Sequence, residues 1–116
     1  KYILYGDEGL LRQMVSLLLD NAVKYAGTQG HVTVKLRKKK KDHAVFTVNN
    51  TGPVIPANEL PHVFDRFWRS DTSRTRGATA SYGLGLAIAK SIAQAQGADI
   101  SVASTERDGT TFTVEF

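Results

Sequence analysis

The spacing of apolar residues predicts two long helices in this chain. From Asp7 to Ala26, apolar side chains recur every three or four residues, as on one face of an amphipathic helix. Asp7 is a suitable N-cap residue, and Gly27 marks the expected end of this helix. A second apolar stripe runs from Leu84 to Gln96, where Gly97 provides the stop signal.

Alternation of apolar and polar residues predicts the strands. The alternating segments are His31 to Arg37, His43 to Asn49, Asp99 to Ser104 and Thr110 to Phe116, with a shorter candidate from Tyr2 to Tyr5. The basic run 37–41 suits a solvated turn, so the first two segments are predicted to form a hairpin. With a short helical piece at 58–64, the pattern indicates an α+β fold. We expect a two-layer α/β sandwich with one mixed, mainly antiparallel sheet and helices on one face.

Composition narrows the classes of protein that fit this pattern. The chain has 116 residues, which suits a single domain over 1–116. It contains no cysteine, which excludes disulfides, thiolate zinc sites and thiol catalysis. The net charge is +4, but without the basic run 37–41 ten basic residues face eleven acidic ones, so we expect no nucleic-acid partner. No segment resembles a membrane span or a signal peptide, so the fragment is not expected to insert into a membrane.

Two features together point to a bound nucleotide. Asn21 lies within the apolar stripe of the first helix, and a buried amide without partners costs about 1–3 kcal/mol. Asn21 is therefore expected either to bond to backbone in the core or to face a cavity that a ligand or metal completes. Gly83 and Gly85 open the second helix, where free N–H groups and the helix dipole favour phosphate. Because both features occur in one chain, we favour the ligand cavity.

The segment from Phe67 to Tyr82 predicts a lid over such a cavity. Its sixteen residues are rich in Ser, Thr, Arg and Gly and show no clear periodicity. A connection of this length is commonly functional, although a polar segment can also be disordered without closing on anything. Phe64 and Phe67 are predicted to pack at the base of the lid. The sequence does not decide whether Trp68 faces a partner.

Five short segments, in order, resemble the conserved boxes of one family. They are Asp20–Tyr25, Asn50–Pro56, Phe64–Phe67, Gly83–Ala87 and Gly109–Phe112. They resemble the N, G1, F, G2 and terminal-strand boxes in the catalytic ATP-binding domain of two-component sensor histidine kinases. The resemblance implies a Bergerat-type ATP-binding fold, with ATP and Mg²⁺ as cofactors. It also implies an enzyme that transfers the γ-phosphate of ATP to a histidine on a dimerisation domain outside this fragment.

The resemblance also assigns roles to individual residues. It makes Asn21 the Mg²⁺ ligand, Lys24 a cation that neutralises phosphate charge, and Tyr25 the aromatic side chain on the adenine face. Arg66 and Arg69 would grip phosphate or stabilise the transferring phosphoryl group. The other nucleotide-binding residues it implies are Asn50, Gly52, Ile55, Gly83, Leu84, Gly85, Leu86 and Thr111. An ion pair between Lys24 and Asp20, and a core position for Tyr25, remain the structural alternatives.

The chain departs from the family pattern at several positions. Asn50 replaces the usual G1 aspartate, and its carbonyl oxygen can still accept a bond from the adenine amino group. Val54 replaces a glycine, so the turn there is expected to avoid positive φ. Leu17 stands one turn before Asn21, where hydrolytic relatives carry a glutamate base, so transfer is favoured over ATP hydrolysis. An ATP-hydrolysing switch is accordingly the least favoured function, and a degenerate nucleotide-binding scaffold that signals through its lid is the alternative.

The resemblance places this domain within a larger signalling protein. Its implied partners are the dimerisation and phosphoacceptor domain of the same kinase and the receiver domain of a response regulator. The isolated domain is expected to be monomeric and cytoplasmic, within a parent protein that is anchored in a membrane. His31, His43 and His62 lack the helical context of a phosphoacceptor and are expected to be surface residues.

Overall fold

The computed structural model describes residues 6–40, 43–68 and 84–116, which form two helices and four strands. In chain order these elements are α1 (Glu8–Ala26), β1 (Val32–Lys40), β2 (His43–Asn50), α2 (Gly85–Ala95), β3 (Asp99–Thr105) and β4 (Gly109–Glu115). A short 3₁₀ turn, Leu60–His62, lies between β2 and α2. The predicted strand Tyr2–Tyr5 and the predicted lid from Arg69 onward lie outside the described residues.

The four strands form one antiparallel sheet in the order β1-β2-β4-β3. The predicted hairpin between β1 and β2 is confirmed, and β3 and β4 form a second one. Across the middle of the four strands, one row of paired residues runs through the sheet: Val34 pairs with Val48, Val48 with Phe112, and Phe112 with Val102. Because alternate residues share a face, this row and its neighbours two residues away form the apolar side of the sheet.

Both helices pack against that apolar side, which gives the predicted two-layer α+β sandwich. In α1, Met14, Leu18 and Ala22 recur every four residues and are completely buried. The side chain of Asp7 accepts a bond from the backbone N–H of Leu10 at 3.0 Å, as expected of an N-cap residue. Gly27 ends the helix with a φ of 74°.

The second helix closes the core from the same side. It buries Leu86, Ala89, Ile92 and Ala93. Beside it, the ring of Phe64 meets the buried ring of Phe112 edge to face, with centroids 5.8 Å apart. Phe64 therefore packs against the core, and its predicted place at the base of a lid stays a prediction. None of the helices in the described ranges is long and apolar enough to cross a membrane.

The structure differs from the sequence-based expectation at two surface features. Residues 37–40 of the basic run belong to strand β1 rather than to a turn, since Arg37 pairs with Val45 and Lys38 with Ala44. Their side chains are exposed on an edge strand, where solvated charge is compatible with backbone pairing. Phe67 is 66% exposed, so it does not pack at the lid base as predicted.

Candidate functional site

A cavity, the outer chamber, opens between α1 and the beginning of α2, and a smaller cavity, the inner chamber, adjoins it. The outer chamber, about 190 Å³, is lined by Leu17, Asp20, Asn21, Lys24, Tyr25, Trp68, Gly85 and Leu86. The inner chamber, about 10 Å³, is lined by Asn21, Tyr25, Asn50, Pro53, Ile55, Trp68, Leu86, Thr110 and Phe112. Four residues, Asn21, Tyr25, Trp68 and Leu86, border both chambers. The two features that predicted a nucleotide, Asn21 and the beginning of the second helix, therefore meet at one cavity.

The outer chamber is polar on its α1 side. Asp20, Asn21 and Lys24 face it, and Lys24 follows Asn21 by three residues and Asp20 by four, which are neighbouring positions on a helix surface. An amide and a carboxylate thus stand beside an ammonium group at the mouth of the cavity. Such a set can bind a phosphate chain together with a cation, because each charge meets a complementary group.

The beginning of α2 forms the opposite wall of the outer chamber. Gly85 is its first residue, and the side chain of Leu84 cannot cap the helix. The first backbone N–H groups of α2 are therefore not capped by Leu84 and can receive an anion. A Cβ placed on Gly85 would lie 3.6 Å from Leu17, which is ordinary contact. Leu17 accordingly forms part of the apolar floor between the two helices.

Asn50 is the polar residue at the closed end of the inner chamber. It is 1% exposed, and its side-chain Nδ2 donates to the carbonyl oxygen of Thr51 at 2.9 Å. Its Oδ1 is buried and has no hydrogen-bond partner within the described part of the chain. A buried acceptor without a partner is costly, and it marks a place where a ligand can donate a hydrogen bond.

A small hydrogen-bond network fixes the wall beside Asn50. The hydroxyl groups of Ser104 and Thr110 are 2.8 Å apart, and the backbone N–H of Ile55 donates to Ser104 Oγ at 2.9 Å. Thr110 is 4% exposed and Ile55 is buried. This network ties the loop after β2 to β3 and β4.

Gly52 acts in this loop through its backbone rather than by lining the cavity. Its φ is 132°, and a Cβ there would lie 2.5 Å from the carbonyl oxygen of Tyr25. Only glycine allows the loop to approach the end of α1 so closely. Val54, two residues later, does not adopt positive φ, as its side chain led us to expect.

The structure brings together most of the predicted site residues. Asn21, Lys24, Tyr25, Asn50, Ile55, Gly85 and Leu86 all line the two chambers. Arg69 and Gly83 lie outside the described residues. Arg66 and Leu84 instead line a separate groove along α2, which also includes Leu10 and Ile88. The geometry therefore does not support the predicted phosphate contact for Arg66.

One predicted residue lies on the wrong face of the sheet. Thr111 points away from the cavity, and its hydroxyl accepts a bond from Asn49 Nδ2 at 2.8 Å. Its neighbour Thr110 lines the inner chamber instead. A shift of one residue along a strand moves a side chain to the opposite face. The apolar Phe112, two residues after Thr110, is the signal that would have identified the correct threonine.

Sequence reasoning also missed Trp68, Asp20 and Pro53 as wall residues. Trp68 is partly buried and borders both chambers, so its indole faces the cavity. The ring N–H of Trp68 is buried and has no hydrogen-bond partner among the described residues. Nothing in the spacing of this aromatic residue distinguishes a cavity wall from an exposed position.

The donor set of the outer chamber fits magnesium. Within the described ranges, no group of three or more His, Asp or Glu side chains could hold a metal ion by itself. Magnesium prefers hard oxygen ligands and usually takes only one or two from the protein, with water and phosphate supplying the rest. Asn21 and Asp20 line the chamber, and their side chains carry oxygen ligands of this kind.

The three histidines are exposed and lie apart from the cavity walls. His62 Nδ1 lies 2.9 Å from the Asp65 carboxylate, and His43 Nδ1 lies 2.9 Å from the carbonyl oxygen of Phe116. These are local surface contacts.

Comparison with known proteins gives consistent matches over nearly the whole chain. The sequence pattern of the family described as histidine kinase-, DNA gyrase B-, and HSP90-like ATPase matches residues 6–116. Sensor histidine kinase YkoH of Bacillus subtilis is 38% identical over 111 residues, which cover 96% of this chain and 24% of YkoH. The chain thus spans about a quarter of the length of that relative.

Solved structures agree with the sequence matches. The mycobacterial sensor histidine kinase MprB superposes with a TM-score of 0.86 and 32% identity, covering 97% of this chain and 75% of the MprB chain. Full-length ShkA, solved in complex with AMPPNP, superposes with a TM-score of 0.74 and 31% identity. That match covers 94% of this chain and 21% of ShkA.

Proposed function

The chain belongs to the histidine kinase-, DNA gyrase B- and HSP90-like ATPase family, and from this membership we propose that it binds ATP with Mg²⁺ and transfers the γ-phosphate to a histidine. It resembles the catalytic domains of sensor histidine kinases in sequence and in fold. The acceptor histidine would belong to a dimerisation domain of the same kinase. A response-regulator receiver domain would then take the phosphoryl group onto an aspartate.

The unpartnered Oδ1 of Asn50 is the observation that carries the nucleotide assignment. This acceptor lies at the closed end of the cavity, where the amino group of adenine can donate to it. Tyr25, Ile55 and Phe112 give the same chamber an apolar surface suited to a planar base. The similar protein ShkA was solved with AMPPNP, an ATP analogue, which supports a nucleotide as the ligand.

The outer chamber is suited to the triphosphate. The first N–H groups of α2 and the ammonium group of Lys24 would stabilise its negative charge from two sides. Asn21, with Asp20 beside it, would hold Mg²⁺, which would neutralise charge on the phosphate oxygens. In this arrangement the protein contributes position and charge, which are the main requirements of phosphoryl transfer.

Leu17 favours transfer to an external acceptor over hydrolysis. Its side chain lines the outer chamber one helical turn before Asn21 and can neither accept a proton nor orient a water molecule. The apolar floor therefore offers no base at that position, and a well-placed histidine would be the better nucleophile. The comparisons give no support to the degenerate-scaffold alternative, which stays a possible outcome of the experiment below.

The setting of this activity is part of the proposal. We propose a cytoplasmic domain of a kinase whose other parts include a membrane anchor. The isolated domain would be monomeric, because the dimer contacts would reside in the separate dimerisation domain.

A mixing experiment tests the proposed function. The domain, a dimerisation-domain fragment from a similar sensor histidine kinase and γ-labelled ATP with Mg²⁺ are combined, and acid-labile label on the fragment is measured. We expect label on histidine in the complete mixture and none when that histidine of the fragment is replaced by glutamine. Nucleotide binding by calorimetry without label in the mixture would favour the scaffold. No binding would contradict the nucleotide assignment itself.

A further inference from the structure

The inner chamber is too small for the base that it is proposed to receive. Its volume of about 10 Å³ is close to the minimum needed for one water molecule. A purine ring is several times larger, yet Asn50, the acceptor for its amino group, lies in this chamber. At least one wall must therefore move before a base can reach Asn50.

Most walls of the inner chamber are held in place. Asn50, Thr110 and Phe112 lie in strands of the sheet and are almost completely buried. Leu86 is buried in α2, and the loop that carries Ile55 is bonded to Ser104. Moving any of these would disrupt the core or the sheet, because closely packed interiors do not deform freely.

Trp68 is held less firmly than these five wall residues. It lies outside the helices and strands, and its backbone N–H donates to the carbonyl oxygen of Asp65 at 3.2 Å. The indole packs against the core, but its N–H is buried with no partner in the described part of the chain. Because burial removes this donor from water without giving it a partner, the inward position of the indole carries a free-energy cost.

The residue before Trp68 is also in an unfavourable conformation. Phe67 has a φ of 67°, and it is the one residue other than glycine with positive φ among those described. Such a conformation is rare for a bulky side chain. It turns the ring of Phe67 outward, where it is 66% exposed, while the next side chain points into the cavity. Backbone strain of this kind clusters at active sites, ligand clamps and switch regions.

From these observations we propose that Trp68 is a determinant of nucleotide affinity, because its indole fills the base end of the cavity in the empty domain and must leave before adenine binds. This inference rests on the proposed function, since it takes ATP as the ligand. Departure of the indole would enlarge the inner chamber beside Asn50. The apparent ATP affinity would then depend on the fraction of molecules in which the indole is out.

Tryptophan fluorescence tests the inference without any substitution. Trp68 is the only tryptophan in the chain, so its emission reports on this site alone. On addition of Mg²⁺ and ATP, we expect a shift of the emission maximum to longer wavelength and stronger quenching by acrylamide. Both changes follow from transfer of the indole to water. An unchanged spectrum, or a shift to shorter wavelength with weaker quenching, would mean that the indole stays inside, and the inference would be wrong.

Substitution of Trp68 provides a second test. If the open form is about a tenth of the population, Trp68→Ala should lower the apparent Kd for ATP by up to about ten-fold. The Kd of Trp68→Phe, which keeps a ring at this position, should lie between the Kd of Trp68→Ala and that of the parent. Val23→Ala is the control, since Val23 is 62% exposed on α1 and lines neither chamber, and its Kd should remain unchanged. A weaker affinity in a folded Trp68→Ala domain would show that the indole is a contact rather than an obstruction.

Calorimetry on the unchanged domain separates the two proposals. If ATP does not bind at all, the proposed function fails and the role of Trp68 fails with it. If ATP binds while the tryptophan emission stays constant, the nucleotide site stands and only the role of Trp68 is refuted.

Discussion

Replacing Asn50 by leucine should separate the stability of the empty domain from its affinity for ATP. Leucine has the same number and branching of side-chain heavy atoms as asparagine, but it is bulkier, so crowding in this fully enclosed site should cost about 1–3 kcal/mol. The substitution removes the bond from Nδ2 to Thr51, worth about 0.5–1.5 kcal/mol. It also removes the unpartnered Oδ1, whose burial costs about 1–3 kcal/mol. Because these terms largely offset one another, the free energy of unfolding should stay constant or fall by about 1 kcal/mol.

The same substitution should weaken ATP binding. The adenine amino group would enter the inner chamber without an acceptor, which costs about 1–3 kcal/mol. That corresponds to a Kd for ATP about 5- to 150-fold higher. Urea unfolding measures the first quantity and isothermal calorimetry the second. A domain that loses about 2 kcal/mol of stability while its ATP affinity stays constant would refute the reasoning, because the amide would then be a structural residue only.

Asn50→Asp is the complementary control within this prediction. A carboxylate accepts hydrogen bonds but cannot donate, whereas an amide can rotate and present its NH₂ group to the oxygen of guanine. The ratio of ATP to GTP affinity should therefore be higher in Asn50→Asp than in the parent. The empty variant should be less stable, since it buries a charge and loses the donor to Thr51. An ATP to GTP ratio that falls would contradict the assignment of Asn50 to the base.

Three further predictions concern other parts of the cavity. Asn21→Ala should abolish the Mg²⁺-dependent part of ATP binding in calorimetry, while the circular dichroism spectrum stays the same. If titrations with and without Mg²⁺ were equal in both proteins, the metal assignment would be wrong. Thr110→Val should weaken ATP binding by about 1 kcal/mol, roughly five-fold in Kd. Thr111→Val, on the opposite face of the sheet, should leave the Kd for ATP unchanged. A larger effect of Thr111→Val than of Thr110→Val would restore Thr111 to the site. Gly52→Ala should lower the free energy of unfolding by at least about 2 kcal/mol, because the new Cβ would lie 2.5 Å from the carbonyl oxygen of Tyr25. A urea midpoint equal to that of the parent would contradict this close approach.

Signals that act within a few residues made the elements of this fold predictable. Asp7 and Gly27 bound the first helix because capping and left-handed termination depend on local chemistry. The apolar faces of the helices and strands were equally visible, since they follow from periodicity. The basic run was assigned wrongly because charge indicates solvent exposure, and exposure is shared by turns and by edge strands such as β1.

Site residues could be predicted where a motif requires a particular chemical group. They could not be predicted where two similar residues differ only in position. Asn21 was singled out because an amide in an apolar stripe requires a partner, and Asn50 through its place in the G1-like segment; both residues line the cavity. Thr110 was missed in favour of Thr111, since the two are chemically identical and differ only in the face of β4 to which they point. Arg66 was assigned to phosphate by its place in the chain, but its side chain lies along α2 in another groove.

The two ends of the cavity differ in how they are coupled to the fold. The base end is built from Asn50, Thr110 and Phe112, which are almost completely buried in the sheet, so most substitutions there change stability and binding together. The phosphate end is built from Asn21 and Lys24, which are only partly buried on the surface of α1. Substitutions at that end can remove binding while the domain stays folded. Asn50 is the exception at the base end, because its unpartnered acceptor makes the empty fold slightly less stable than it could be, and that cost is recovered only when a ligand donates to it.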